Sequence, residues 1–67
     1  MRIIGGHRAY TTAEAADYLG VSSATLRGWR HEGYGPNGFR VGRKLVYYLE
    51  EDLRGFIDQQ IEEARTA

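Results

Sequence analysis

The side chains best suited to chemistry fall in one short stretch, Ser22-Ser23-Ala24-Thr25-Leu26-Arg27-Gly28-Trp29-Arg30-His31. On a helix, Ser22, Ser23, Thr25, Arg27, Arg30 and His31 offer many hydrogen-bond donors, and none of the six is a carboxylate. Such a face suits oxygen acceptors, phosphates and base edges above all. Ser22, Ser23 and the free amides of a helix N-terminus suit a backbone phosphate, because the helix dipole favours an anion there. Arg27, one turn further on, can present its guanidinium fork to O6 and N7 of a guanine. Thr25 and Arg30 suit phosphate, although a solvated surface role is nearly as good a reading for each.

Other chemistries fit worse. Ser22 and His31 lie more than two turns apart on one helix, and no convergent base or carboxylate accompanies them, so nucleophilic catalysis is not expected. His7 and His31, in a chain with no cysteine, fall short of the four ligands of a structural zinc. The run from Gly33 to Gly38 matches G-x-G-x-x-G letter for letter. The dinucleotide fingerprint, however, follows a strand and opens a helix, whereas this run follows a helix and precedes a strand. The expectation is therefore no enzyme, no metal, no cofactor and no small-molecule substrate.

The elements that position these residues are legible from capping and periodicity. Thr11-Thr12-Ala13-Glu14 has the capping-box form, so a helix begins at Thr12, with Ala15, Ala16 and Leu19 on one face and a stop at Gly20. Ser22 caps a second helix that passes Leu26 and Trp29 and ends at Gly33. Gly33-Tyr34-Gly35-Pro36-Asn37-Gly38 is a loop. Phe39-Arg40-Val41, a turn at Gly42-Arg43-Lys44, and Leu45-Val46-Tyr47-Tyr48 read as a β-hairpin with basic side chains at its tip. From Glu50 the pattern turns helical, with Leu53, Phe56, Ile57, Ile61 and Ala64 along one stripe.

These 67 residues support one core and no second domain. Residues 1–9 read as a flexible N-terminal arm, 10–58 as the domain, and 59–67 as an extension of the last helix. No apolar run approaches the length of a signal peptide or a membrane span, which points to the cytoplasm and away from membranes. Formal net charge is zero, yet residues 1–44 hold seven basic side chains against three acidic ones, and residues 45–67 hold two against six. A polyanion would meet the first part and avoid the second.

Two short helices joined by a tight turn need a small residue at their crossing, a turn residue tolerant of positive φ, and apolar residues that fix a steep angle. With Gly20 in the turn, Ala16 takes the crossing and Ala15, Leu19, Val21, Leu26 and Trp29 take the buried positions. An ordinary helical hairpin is the competing interpretation. Gly28 is unexpected inside the second helix, where glycine costs about 1 kcal/mol relative to alanine. It either lets the backbone approach DNA closely or relieves crowding beside Trp29.

Over about residues 10–57 the chain resembles the MerR-like winged-helix domains of phage excisionases and AlpA-type regulators. The likeness rests on Tyr10-Thr11-Thr12-Ala13-Glu14-Ala15-Ala16, Leu19-Gly20-Val21-Ser22, Thr25-Leu26-Arg27-Gly28-Trp29, Gly33, Gly35-Pro36, Val41-Gly42-Arg43-Lys44, Tyr48, Asp52-Leu53 and Phe56-Ile57. It implies an α+β, mostly helical, winged helix-turn-helix fold in which the second helix enters the major groove and the hairpin is a wing. Ser23, Thr25, Arg27 and Arg30 would then touch bases or phosphates, Arg43 and Lys44 would make the wing contacts beside Arg40, and Tyr48 would be core.

The resemblance further implies an architectural protein that binds and bends attachment-site DNA and so helps an integrase excise a prophage. A promoter-binding regulator of the same fold, and a small helical protein-interaction module, are the alternatives. Head-to-tail association of copies on DNA is one expectation. The acidic C-terminal helix reads first as a solvated back, and second as a contact to a neighbouring copy or to the integrase. Two departures stand out: Gly28, where a polar or basic residue is usual, and the acidic extension past Ile57.

Overall fold

In a computed structural model that describes residues 1–66, the chain runs β1 (Arg2–Ile4), β2 (His7–Thr11), α1 (Thr12–Leu19), α2 (Ser23–Glu32), β3 (Gly38–Val41), β4 (Leu45–Leu49) and α3 (Glu50–Thr66). The strands form one antiparallel sheet in the order β1-β2-β4-β3. This is the α+β winged helix-turn-helix expected from the sequence.

The helix boundaries follow from their caps. Thr11 Oγ1 accepts from the Glu14 amide at 3.2 Å, while the Glu14 carboxylate accepts from the Thr11 amide at 2.9 Å, completing the capping box. Gly20 ends α1 in the left-handed region at φ 78°, and Gly33 ends α2 at φ 75°. The Val21 amide then donates to the Ala16 carbonyl at 2.9 Å, so the turn between the helices is held from both sides.

Residues 1–9 are not an arm. Arg2–Ile4 and His7–Thr11 pair across a two-residue turn in which Gly5 and Gly6 both have positive φ, 57° and 83°. Both central residues of a type I′ turn need positive φ, which glycine alone adopts at no steric cost. The hairpin is anchored because β2 also pairs with β4, Tyr10 opposite Tyr48, and Ala9 is fully buried.

The core is small: Ala15, Ala16, Leu26, Tyr48 and Leu53, with Tyr10, Leu19, Val21, Trp29 and Val46 packed around it. Burying a leucine such as Leu26 or Leu53 contributes about 1.5–3 kcal/mol. Leu19, Val21 and Trp29 are only half buried, because two-turn helices and one thin sheet leave the rim of the core open. Trp29 instead joins Tyr34 and Phe56 in an aromatic cluster, with ring centroids 5.2–5.9 Å apart.

Candidate nucleic-acid interface

α2 begins on a pair of linked hydroxyls. Ser22 Oγ accepts from the Thr25 amide at 3.1 Å and donates to Thr25 Oγ1 at 2.9 Å. The Ser22 proton is thereby committed inside the protein, and the Thr25 hydroxyl, having accepted, keeps its own proton free to donate outward. Ser23 is half buried in the first turn, while Thr25 and Arg27 are exposed. The cap holds the first amides of α2 in the open, the arrangement that suits a phosphate oxygen.

Arg30 stands apart from the other candidates. It is half buried and lines a hollow with Gly33, Tyr34, Gly35, Pro36, Asn37 and Gly38, the loop that leads into the wing. Its charge is felt at the Tyr48 hydroxyl: burial raises the phenol pKa above its ordinary value, and Arg30 partly opposes the rise. That hydroxyl is buried and has no hydrogen-bond partner among the described residues. Arg30 therefore lies between α2 and the foot of the wing.

Glycine at two loop positions makes this junction possible. A Cβ at Gly38 would sit 3.0 Å from the Tyr48 ring, and one at Gly35, whose φ is 91°, would sit 3.3 Å from the Trp29 ring. The loop therefore lies flat across both aromatics, and Pro36 is buried beneath it. The wing is β3 and β4, paired from Gly38 opposite Tyr48 to Val41 opposite Leu45. Arg40 is exposed on β3, and Arg43 and Lys44 are exposed in the turn that opens at Gly42, φ 70°.

Ion pairing sets these cations apart from His7, Arg8 and Arg54, while Arg2 donates to the Tyr47 hydroxyl and Arg65, like the cations of α2 and the wing, pairs with no carboxylate among the described residues. Among the described residues, the Met1 amine pairs with Glu14, His7 with Glu51 at 3.2 Å, and both Arg8 and Arg54 with Glu50 at 3.6 and 3.9 Å. No ion pair among the described residues takes Arg27, Arg30, Arg40, Arg43 or Lys44. Cations left without carboxylates suit an external anion, and a run of phosphates supplies one along both elements.

Two residues of the outward face escaped the sequence reading. Glu32 is an exposed carboxylate in the last turn of α2, so the face is free of acid only over its first two turns. Ala24, exposed and unremarkable by type, lies one turn before Gly28 at the middle of that face. Helical phase is the signal that finds it: with Leu26 pointing inward, positions 24 and 28 point outward. Beyond its chain neighbours and its own helix backbone, Gly28 has no atom of the described residues within 4 Å of where a Cβ would stand, so no other element of the fold requires glycine there.

Comparison with known families agrees with this geometry: a family model described as a helix-turn-helix domain matches residues 9–61. No curated protein and no solved structure matches the chain. The match runs from the buried Ala9 to Ile61 on α3 and so takes in both helices, the loop and the wing. A helix-turn-helix domain is a unit that binds double-stranded DNA through its second helix. No helix among the described residues is long and apolar enough to cross a membrane.

Proposed function

We propose an architectural role on DNA for this chain, which belongs to the helix-turn-helix domain family. It binds prophage attachment-site DNA, bends it, and so directs an integrase toward excision. No bond is made or broken by the chain itself. Arg27 reads a base edge in the major groove, Ser23, Thr25 and Arg30 hold the flanking phosphates beside the helix N-terminus that Ser22 caps, and Arg40, Arg43 and Lys44 grip the backbone beside the wing.

The observation that carries this reading is the set of five cations on α2 and the wing that no carboxylate among the described residues pairs, while Arg8 on β2 and Arg54 on α3 share Glu50. The excision role draws its support from the sequence likeness to phage excisionases and from the small reading face. One short helix makes few base contacts, so selectivity must come from copies bound side by side, from DNA deformability, or from the integrase. In this scheme the acidic end of α3 contacts a neighbouring copy or the integrase, and removal of residues 59–67 lowers cooperativity. Unchanged cooperativity would refute that contact.

A genome-wide crosslinking map in the lysogenic host tests the role. Sites clustered at the attachment junctions are the expected result. Peaks confined to promoters would make the chain a transcription regulator instead, and a map without reproducible peaks would point to a protein-interaction module.

A further inference from the structure

We infer that Ala24 and Gly28 form the point of closest approach between α2 and DNA, and that the group they admit is the C5-methyl of a thymine. The inference rests on the DNA-binding reading above and adds a base preference to it.

No other element of the fold requires Gly28 to be glycine. Its φ is not in the left-handed region, and a Cβ there would meet no atom of the described residues within 4 Å beyond its chain neighbours and its own helix backbone. The residue sits inside a helix whose remaining face is built for contact, at a position where alanine would strengthen the helix. With Leu26 1 % exposed and pointing into the core, helical phase puts Ala24 and Gly28 at the centre of the opposite face. Arg27 and His31 flank them on one side, and Thr25 and Glu32 on the other. The face is thus a shallow saddle, backbone-deep along its middle line and raised at its rims by long or polar side chains.

The saddle has no donor or acceptor, since the helical amide and carbonyl groups bond along the helix axis. It can read only an apolar group, and the single apolar group on a major-groove base edge is the thymine methyl. With Arg27 beside it, the preferred site holds a thymine next to a guanine. A side chain at position 28 would lift the helix off that methyl and pull Arg27 away from its base.

The test uses the full chain, a duplex selected from a randomised pool, and two alanine variants. Gly55 is the internal comparison, being also mid-helix, exposed and open, with nothing within 4 Å of a built Cβ, but located on α3. Gly28→Ala and Gly55→Ala should each raise the melting midpoint by about 4–8 °C. Only Gly28→Ala should weaken binding to the selected duplex, by about tenfold. Replacing the thymine beside the guanine with uracil, which removes only the methyl, should cost the unmodified chain roughly fourfold in affinity. Gly28→Ala that binds as tightly as the unmodified chain, or a uracil duplex bound as well as the thymine one, would overturn the inference while leaving DNA binding intact. A pool from which no duplex is enriched would overturn the DNA-binding reading and this inference with it.

Discussion

The basic side chains of β2 and those of α2 and the wing differ in the company they keep. His7 and Arg8 of β2 reach back to Glu51 and Glu50 in the first turn of α3, and Tyr10 donates to the same Glu50 at 3.0 Å. Arg27, Arg30, Arg40, Arg43 and Lys44 reach no carboxylate among the described residues. A net charge of zero therefore conceals an uneven distribution, with His7, Arg8 and Arg54 paired within the fold and the cations of α2 and the wing left for an outside partner. Where a charge is satisfied matters more to function than how many charges there are.

The comparison can be erased, broken or sharpened. Leu26→Ala erases it: Leu26 is 1 % exposed under the whole helix-turn-helix, and the cavity should cost about 2–5 kcal/mol. Circular dichroism and DNA binding should then be lost together. Arg27→Ala against Arg54→Ala tests the division directly. The first should lower affinity about tenfold or more and relax base preference at one position, while the second should leave binding near that of the unmodified chain in the same gel-shift assay. Equal effects would break the division.

Lys44→Ala should act more mildly, weakening binding alike on all sequences. It should also flatten the slope of log affinity against log salt by about one unit. The smallest effect concerns Glu14. The Met1 amine first, and then the Thr11 amide, hold its carboxyl below the ordinary value of 4.5. Its contribution to stability is thus complete above pH 4.5 and is lost as the pH falls below that toward the folded pKa. Urea midpoints measured from pH 6 to pH 3 should show this fall, and Glu14→Gln should remove that part of it.

Much of the fold could be read from local signals. Thr11, Gly20, Ser22 and Gly33 mark four helix ends because capping is short-range chemistry, decided within three or four residues. The N-terminal hairpin was hidden because a three-residue strand has no periodicity to detect, and what holds it is pairing with β4, 40 positions away in the Ala9–Leu49 register. Gly5-Gly6 was the available signal, a glycine pair of the type that favours a tight hairpin turn. At the interface, residue types pointed to Arg27, Arg43 and Lys44. The commitment of the Ser22 proton, the half-burial of Arg30 and the open space over Gly28 depend on three-dimensional neighbours that spacing cannot supply.

The shared strand pairing of β2 with β4 has a mechanical consequence. The wing is not a flap on a two-residue stalk, because its inner strand is also the third rung of a four-stranded sheet whose far side carries the N-terminal hairpin. A sideways load at Lys44 passes through the Tyr10–Tyr48 rung into β2 and on to α1, so displacing the tip means shearing a ladder rather than swinging a hinge. Such a wing is stiff before it meets a duplex. On the proposed function, little freedom remains for such a wing to lose on contact, and the DNA would be the more compliant body.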